Sequence, residues 1–204
     1  FVAIMGPSGS GKSILLHILG FLDDYTGGAC RFEGKDIDTY APEEVAHVRN
    51  KKFGFVFQMF NLLPRATVLE NVKLPLLYSS VPDNLWGGQA RAVIEAVGLS
   101  YRIDHEAFQL SGGEKQRAAI ARALVNDPEV IFADEPTGNL DSQSGKMIME
   151  ELQKLHDGGR TVILITHETY TAEHAERIIH MRDGEVVSDE RVNNRRTARD
   201  GFAK

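Results

Sequence analysis

The chain has 204 residues, of which 42% are hydrophobic and 25% charged, and its formal net charge is -6. This length suffices for one large domain, and the ordinary charge balance indicates neither disorder nor a surface that coats nucleic acid. The single cysteine, Cys30, excludes an internal disulfide framework and is compatible with a reducing compartment. The apolar runs are far shorter than the roughly 20 residues of a membrane-crossing helix, so any membrane link must come through a partner.

Apolar runs alternate with segments of helical spacing along most of the chain. Strands are predicted at 1–5, 53–57, 130–133 and 161–166. Helices are predicted at 12–22, 142–156 and 171–176. This alternation predicts an α/β fold with a mostly parallel sheet. Near the end, Asp183-Gly184 separates two further apolar runs and predicts a hairpin, because both residues tolerate positive φ.

The remaining segments set the expected boundaries of the domain. Residues 58–111 contain no clear strand, which predicts a helical lobe, spanning about 66–126, inserted into the α/β core. The sequence begins inside a strand pattern with no polar lead-in, so we expect a domain whose natural N-terminal strands are missing. Residues 193–204 are polar and Arg-rich and are expected to form a disordered tail, which leaves 1–192 as the folded domain.

The first predicted strand leads into a glycine-rich loop and a helix. Gly6-Pro7-Ser8-Gly9-Ser10-Gly11-Lys12-Ser13 fits G-x-x-x-x-G-K-[ST] in the strand-loop-helix context that this pattern requires. The glycines let several backbone N–H groups converge on phosphates, and the helix N-terminus adds positive partial charge. Lys12 is expected to reach the β- and γ-phosphates and the Ser13 hydroxyl to bind Mg²⁺. An accidental glycine-rich turn is the alternative.

Polar side chains follow three further predicted strands. Asp134 and Glu135 end one strand, and we assign Asp134 to the metal, directly or through water, and Glu135 to the attacking water. A solvated acidic loop is the alternative. His167 follows the next strand and is either a structural histidine or a residue near the γ-phosphate. Gln58 is a strand-tip residue that could contact Mg²⁺ or the water. The predicted catalytic set is Glu135, His167, Lys12 and Gln58.

A second arrangement suited to anions occurs where another helix begins. Leu110-Ser111-Gly112-Gly113-Glu114-Lys115-Gln116-Arg117 precedes and opens a helix that continues through Leu124. Ser111 could be simply the N-cap of this helix. Two anion sites in a chain that binds one nucleotide suggest instead that the second site serves the nucleotide of a partner subunit.

These motifs, in this order, resemble those of the ABC-family ATPases over nearly the whole chain. Gly6–Ser13 is similar to the Walker A loop, Gln58 to the Q-loop glutamine, Leu110–Gln116 to the family signature, Val130–Glu135 to the Walker B strand, Gly138–Asp141 to the D-loop and His167 to the switch histidine. The resemblance implies a P-loop NTPase: a mostly parallel sheet core with an inserted α-helical subdomain. It also implies ATP hydrolysis with Mg²⁺ by a head-to-tail dimer, in which each ATP is clamped between two subunits.

The resemblance carries specific residues into the expected site. One subunit is expected to contact the nucleotide through its glycine-rich loop, with Gly6, Pro7, Ser8, Gly9, Ser10, Gly11, Lys12, Ser13 and Ile14. The other subunit is expected to contact it through Ser111, Gly112 and Gly113, and further contacts are expected from Gln116 and Asp141. Mg²⁺ contacts are expected from Ser13, Gln58 and Asp134. Two features depart from the family. Ile14 stands where a threonine is common, so nucleotide affinity should be lower, and the aromatic residue that stacks on adenine would precede Phe1.

The segments 57–64, 68–72 and 137–142 resemble the branch of the family that serves macrolide export and lipoprotein release. This resemblance implies an integral membrane permease, separate or fused, that is gripped by the helical lobe and a groove near Gln58. The expected location is the cytoplasmic face of the cell membrane, as a peripheral subunit that powers export or release. The cargo is not readable from the sequence.

Two other functions are compatible with an ABC-type ATPase. One is a soluble ATPase acting on DNA or ribosomes, whose relatives carry a long coiled-coil insertion or two such domains per chain. This chain has neither feature, so no nucleic acid partner is expected. The other is a non-hydrolysing nucleotide sensor, in which a base or switch residue is usually replaced. Glu135 and His167 are both present.

Overall fold

The structure is a computed structural model that describes residues 1–197. Its strands are β1 (Val2–Met5), β2 (Arg31–Phe32), β3 (Lys35–Asp36), β4 (Phe53–Phe57), β5 (Val130–Asp134), β6 (Thr161–Thr166), β7 (Arg177–Arg182) and β8 (Glu185–Arg191). Its α-helices are α1 (Lys12–Leu19), α2 (Pro42–Lys52), α3 (Val68–Lys73), α4 (Asp83–Ala96), α5 (Gly112–Leu124), α6 (Ser142–Asp157) and α7 (Thr169–Ala172).

A six-stranded sheet runs through the domain in the order β4-β5-β6-β1-β7-β8. Every neighbouring pair in it is parallel except β7 and β8, which form an antiparallel hairpin. The turn of this hairpin contains Asp183 with φ 52° and Gly184 with φ 86°, as the sequence predicts. Strands β2 and β3 form a separate antiparallel pair. The predicted fold class, a mostly parallel α/β core with inserted helices, is confirmed.

The two faces of the sheet are covered by separate hydrophobic clusters. Along β5, Ile131 and Ala133 belong to the cluster that includes residues of α3 to α6, whereas Phe132 belongs to the cluster of α1 and α2. Successive side chains of a strand point to opposite faces, so one apolar run supplies both cores. Both faces of β5 are therefore buried, and packing on both sides restrains the position of the strand that ends at Asp134.

The helical lobe lies between β4 and β5 in the chain. Its first helix, α3, begins after Thr67, whose hydroxyl accepts a hydrogen bond from Glu70 N, and its last helix, α5, ends at Leu124. Asn71 on α3 is fully buried, accepts from Leu63 N at 2.7 Å and donates to Leu63 O at 3.1 Å. This amide ties the lobe to the segment that follows Gln58.

Several elements differ from the sequence-based expectations. Helix α1 ends at Leu19 rather than at 22, because Phe21 adopts φ 57° and leaves the helical path. Helix α7 covers Thr169–Ala172 rather than 171–176, since Glu176 N already donates to Phe1 O at the start of β7. The β2-β3 pair and α2 were not predicted. Helix α2 has few apolar residues, and the signals that indicate it are Pro42 and the acidic residues at its start and the basic residues at its end.

Five residues of the predicted tail, 193–197, are described, and two of them, Arg195 and Arg196, contact the domain. Arg195 Nε donates to His174 O at 2.7 Å, and Arg196 N donates to Glu173 O at 2.9 Å. Gln153 Nε2 donates to Arg196 O at 2.8 Å. Arg195 and Arg196 are therefore held by backbone hydrogen bonds, and residues 198–204 of the predicted tail lie outside the described part. Within residues 1–197, no helix has both the length and the apolar character needed to cross a membrane.

Candidate active site

The strand order places four chemically important chain positions side by side. Strands β4, β5, β6 and β1 are consecutive neighbours, and each is parallel to the next. In register, Phe57 pairs with Asp134 and Asp134 pairs with Ile165, while Met5 pairs with Thr166. The segments that begin at Gly6, Gln58, Glu135 and His167 therefore leave the sheet along one edge, as parallel strands with aligned ends require.

Lys12 lies inside the glycine-rich loop. Its Nζ donates to Gly6 O and to Pro7 O, each at 2.8 Å, and to Ser10 Oγ at 3.4 Å. The residue is only 7% exposed, and among residues 1–197 it makes no ion pair. A buried ammonium surrounded by neutral acceptors lacks a counter-charge. A phosphate would supply that charge, and α1 begins at this point with no acidic residue in its first turn.

The loop can adopt its shape only with glycines at defined positions. Gly9 and Gly11 have φ 80° and φ 90°, a region that other residues rarely adopt. A Cβ atom on Gly6 would lie 2.2 Å from Met181 O. The hairpin of β7 and β8 thus backs the loop directly, and Gly184 N donates to Ser10 O at 3.2 Å.

Ser13 and Asp134 bring two oxygen donors together. Ser13 Oγ donates to Asp134 Oδ1 at 3.3 Å. They open on a cavity of about 610 Å³, which is lined by Pro7, Ser8, Gly9, Gly11, Lys12, Ser13, Ile14, Gln58, Asp134, Glu135, Ile165 and His167. Hydroxyl, carboxylate and amide oxygens are ligands suited to Mg²⁺, so the donor set of Ser13, Asp134 and Gln58 fits this ion. Ile165 also lines the cavity and was not predicted from the sequence.

Glu135 and His167 form a close pair at the wall of this cavity. His167 Nδ1 lies 2.7 Å from Glu135 Oε1. Glu135 has φ 46°, and its backbone N donates to Ile165 O at 2.9 Å, which fixes an unusual backbone conformation next to β6. The second carboxylate oxygen, Oε2, is buried without a hydrogen-bond partner in the described chain. An unpaired buried carboxylate oxygen is ready to accept a hydrogen bond from a bound water.

The signature residues occupy a different place. Ser111, Gly112, Gly113, Gln116 and Asp141 are not among the residues that line the cavity. Ser111 is the N-cap of α5, and its Oγ accepts from Glu114 N at 3.3 Å, so the N-cap alternative describes its contact within the chain. Ser111 is exposed at the surface of the chain.

Gln116 and Asp141 make their described contacts within the chain. Gln116 is fully buried, and its Nε2 donates to Pro136 O at 2.8 Å. Its position one turn inside α5 turns the side chain toward the segment after Glu135, and the expected nucleotide contact of Gln116 stays a prediction. Asp141 is exposed and caps α6, where it accepts from Ser144 N at 2.9 Å.

Glu114 is a buried acid within the signature that the sequence reasoning did not single out. Burial alone would raise the pKa of Glu114. Hydrogen bonds from the backbone N–H of Ser111, the Arg102 guanidinium, the Ser111 hydroxyl and the Tyr101 hydroxyl outweigh this effect and lower the pKa to about 2. The carboxylate accepts from Ser111 N at 2.8 Å and from Arg102 Nε at 2.9 Å. The Ser-x-x-Glu spacing of a capping box is the signal that could have identified it.

Arg122 is a second residue that the sequence reasoning missed. From α5 it donates to Phe60 O at 2.9 Å and also to Asn61 O. Phe60 and Asn61 have φ 63° and φ 49°, and their carbonyl groups meet this guanidinium. Burial lowers the pKa of Arg122. The segment after Gln58 is thereby attached to the signature helix.

Comparisons with known proteins agree with this geometry. The sequence profile of the family described as "ABC transporter" matches residues 1–138. The chain is 53% identical over 192 residues to the "Macrolide export ATP-binding/permease protein MacB" of Bdellovibrio bacteriovorus, covering 94% of this chain and 29% of that protein. It is 50% identical over 191 residues to an "Uncharacterized ABC transporter ATP-binding protein" of Thermotoga maritima, of which it covers 82%.

A solved structure extends the comparison to three dimensions. It is titled "Dimeric structure of a post-hydrolysis state of the ATP-binding cassette MJ0796 bound to ADP and Pi", with a TM-score of 0.85 and 43% identity. The alignment covers 95% of this chain and 85% of that one. The family profile, the relatives and the fold all point to the same family. The chain belongs to the ABC transporter family and is one of its ATP-binding, ATP-hydrolysing cassettes.

Proposed function

We propose that ATP lies in the cavity at the sheet edge and that Glu135 orients the water that attacks its γ-phosphate. The supporting observation is the Glu135 carboxylate, with Oε1 at 2.7 Å from His167 Nδ1 and Oε2 buried without a partner. Lys12 and the backbone N–H groups of Gly6–Ser13 hold the phosphates, and Ile14 and Gln58 line the same space. His167 fixes the carboxylate and its ring lies close to the γ-phosphate.

We further propose that Mg²⁺ accompanies the nucleotide and is held by Ser13, Asp134 and Gln58. The 3.3 Å contact between Ser13 Oγ and Asp134 Oδ1 supports this assignment, because both atoms are hard oxygen donors. When bound, the ion neutralises charge that develops on the phosphate oxygens. The side chains of this site would hold its ligands in place before chemistry.

The complete site requires a second copy of the chain in head-to-tail arrangement. Ser111, Gly112 and Gly113 stand at the N-terminus of a 13-residue helix, α5, and do not line the cavity of their own chain. In a head-to-tail pair they would donate to the γ-phosphate held by the partner subunit, with Asp141 next to them. Donors supplied in trans are worth roughly 10³ to 10⁵ in rate in other NTPases. The related MJ0796 cassette is dimeric in its solved structures.

A membrane permease, fused or separate, occupies the groove beside the helical lobe. This groove has a volume of about 440 Å³, and its lining includes Phe55, Phe57, Tyr78 and Arg122. Asn61, three residues after Gln58, also lines this groove. A permease segment bound in the groove would therefore contact the chain next to Gln58, which lines the proposed ATP site. The MacB relatives are ATP-binding/permease proteins of which this chain spans 29%, and their remaining length supports a permease as the occupant.

The cassette would then drive export or release of a cargo from the cytoplasmic face of the membrane, as a peripheral subunit or domain. The similarity to MacB proteins supports the macrolide-export and lipoprotein-release branch. A soluble ATPase acting on DNA or ribosomes is not favoured by these relatives. Recovery of the protein from membranes together with an integral partner would support this role, and recovery on ribosomes would contradict it.

Glu135→Gln tests the proposed chemistry. The amide keeps the size of the side chain but cannot act as a base, so phosphate release should fall by roughly 10² to 10⁴ while ATP is still bound. ATP-trapped dimers should then accumulate on gel filtration. Glu151→Gln on α6, remote from the cavity lining, is the matched control and should hydrolyse at the parent rate. Parent-like turnover by Glu135→Gln would remove Glu135 from this role.

A further inference from the structure

Gln116 connects the signature helix to the residue that follows Glu135. Its side chain is fully buried on α5, and Nε2 donates to Pro136 O at 2.8 Å. Pro136 is itself buried and is adjacent in sequence to Glu135. A buried hydrogen bond between a helix and a loop restricts the loop more than an exposed bond would, because water cannot replace it.

The orientation of this amide is determined by its partner. Pro136 O is an acceptor, so the nitrogen of the amide must face it, and exchange of oxygen and nitrogen would leave two acceptors in contact. The other atom, Gln116 Oε1, is buried and has no hydrogen-bond partner in the described chain. The donor contact to Pro136 is therefore the polar contact that justifies a glutamine at this buried position.

The start of α5 also lies close to this loop, at Leu140, and to the first turn of α6, at Ser144. A Cβ atom on Gly113 would lie 2.7 Å from Ser144 Oγ, and one on Gly112 would lie 3.4 Å from Leu140 Cδ2. The loop itself is closed by hydrogen bonds from Gly138 N to Glu135 O and from Leu140 N to Thr137 O, each of 3.1 Å. The signature residues and the loop after Glu135 are consequently packed as one unit.

We propose that Gln116 is a positioning residue for Glu135 that joins the two nucleotide half-sites of one chain. This inference rests on the proposed head-to-tail dimer, in which Ser111 contacts the nucleotide held by the partner subunit. Binding of that nucleotide would fix the position of α5. The hydrogen bond from Gln116 to Pro136 O would then fix the position of Pro136 and, through it, of Glu135 in the same chain. Occupation of one site would thereby set the water-orienting carboxylate of the other.

Gln116→Met tests the proposal, because it keeps length and apolar volume but removes the donor. In the full chain, with its membrane partner where activity requires one, kcat should fall about tenfold while KM for ATP stays within about twofold. In the Glu135→Gln background, ATP-dependent dimers should still form. The matched control is Gln153→Met, which removes another buried Nε2-to-carbonyl bond of 2.8 Å, to Arg196 O, away from the site.

The outcomes separate the alternatives. A similar drop in unfolding temperature for both variants, with kcat lowered only in Gln116→Met, supports the proposal. Equal kcat values in the two variants, or a KM that rises with the loss of kcat, would overturn it. If Gln116→Met does not fold, Gln116→Asn is judged by the same measurements, since its amide is one methylene too short. A parent chain without ATPase activity would instead refute the proposed function.

Discussion

His167 Nδ1 lies 2.7 Å from Glu135 Oε1, although 32 positions separate the two residues in the chain. A carboxylate can only accept a hydrogen bond, so the hydrogen of this contact is on Nδ1. In neutral imidazole the other ring nitrogen, Nε2, is then an acceptor. The side chain of His167 is 61% exposed, so one end of the ring is fixed by Glu135 while the rest faces the cavity.

His167→Ala should lower kcat by roughly 10² while ATP binding is retained, because Glu135 loses the group that fixes one of its oxygens. Phosphate release and nucleotide titration, measured on the same preparation, would check both parts. His47→Ala on α2 is an exposed control that should behave like the parent. Weaker ATP binding with unchanged turnover would show that His167 is a binding residue and not a partner of Glu135.

Gly6→Ala should destabilise the protein and weaken nucleotide binding together. The added methyl would lie 2.2 Å from Met181 O and 2.6 Å from Ser10 Oγ, and a backbone carbonyl cannot move aside easily. Overpacking costs about 1–3 kcal/mol, and in a chain of this size each kcal/mol lowers the unfolding temperature by roughly 2–4 °C. Gly27→Ala has open space around it and should unfold like the parent. Calorimetry on both variants makes the comparison.

Glu114 should make stability depend on acid pH. Its pKa in the folded chain is about 2, below the roughly 4.3 of an unfolded glutamate, so its contribution is complete above about pH 5 and is lost as pH falls through 2. The difference in free energy of unfolding between parent and Glu114→Gln should therefore be largest near neutrality and shrink toward pH 2. Urea unfolding at several pH values measures it. A difference independent of pH would contradict the ion pair with Arg102.

Ile14→Thr should tighten nucleotide binding. Ile14 lines the cavity and is 60% exposed, so a hydroxyl at this position could reach a bound phosphate. One added hydrogen bond of about 0.5–1.5 kcal/mol corresponds to a Kd lower by roughly 2- to 12-fold. Ile14→Val keeps the branched shape without the hydroxyl and should retain the parent Kd. Equal Kd values for the threonine and valine variants would contradict the expectation that the missing hydroxyl at position 14 lowers nucleotide affinity.

Sequence alone was sufficient wherever chemistry depends on neighbours in the chain. The phosphate loop needs a strand, glycines, Lys12, Ser13 and a helix in direct succession, and all of these are readable as a pattern. The strand tips carrying Gln58, Asp134 and His167 could also be predicted, since parallel strands end at a common edge. The hairpin at Asp183-Gly184 follows from two residues that tolerate positive φ.

Only the tertiary structure decided which way the side chains beyond the loop face. Gln116 stands within a motif that suggests a nucleotide contact, yet packing of α5 against the segment after Glu135 turns it inward to Pro136. Glu114 likewise depends on the guanidinium of Arg102, and Arg122 on the carbonyl of Phe60. Neither contact can be read from the residues that adjoin Glu114 or Arg122 in the sequence. Residue spacing specifies a face of a helix, but the neighbour that covers this face depends on how distant segments pack.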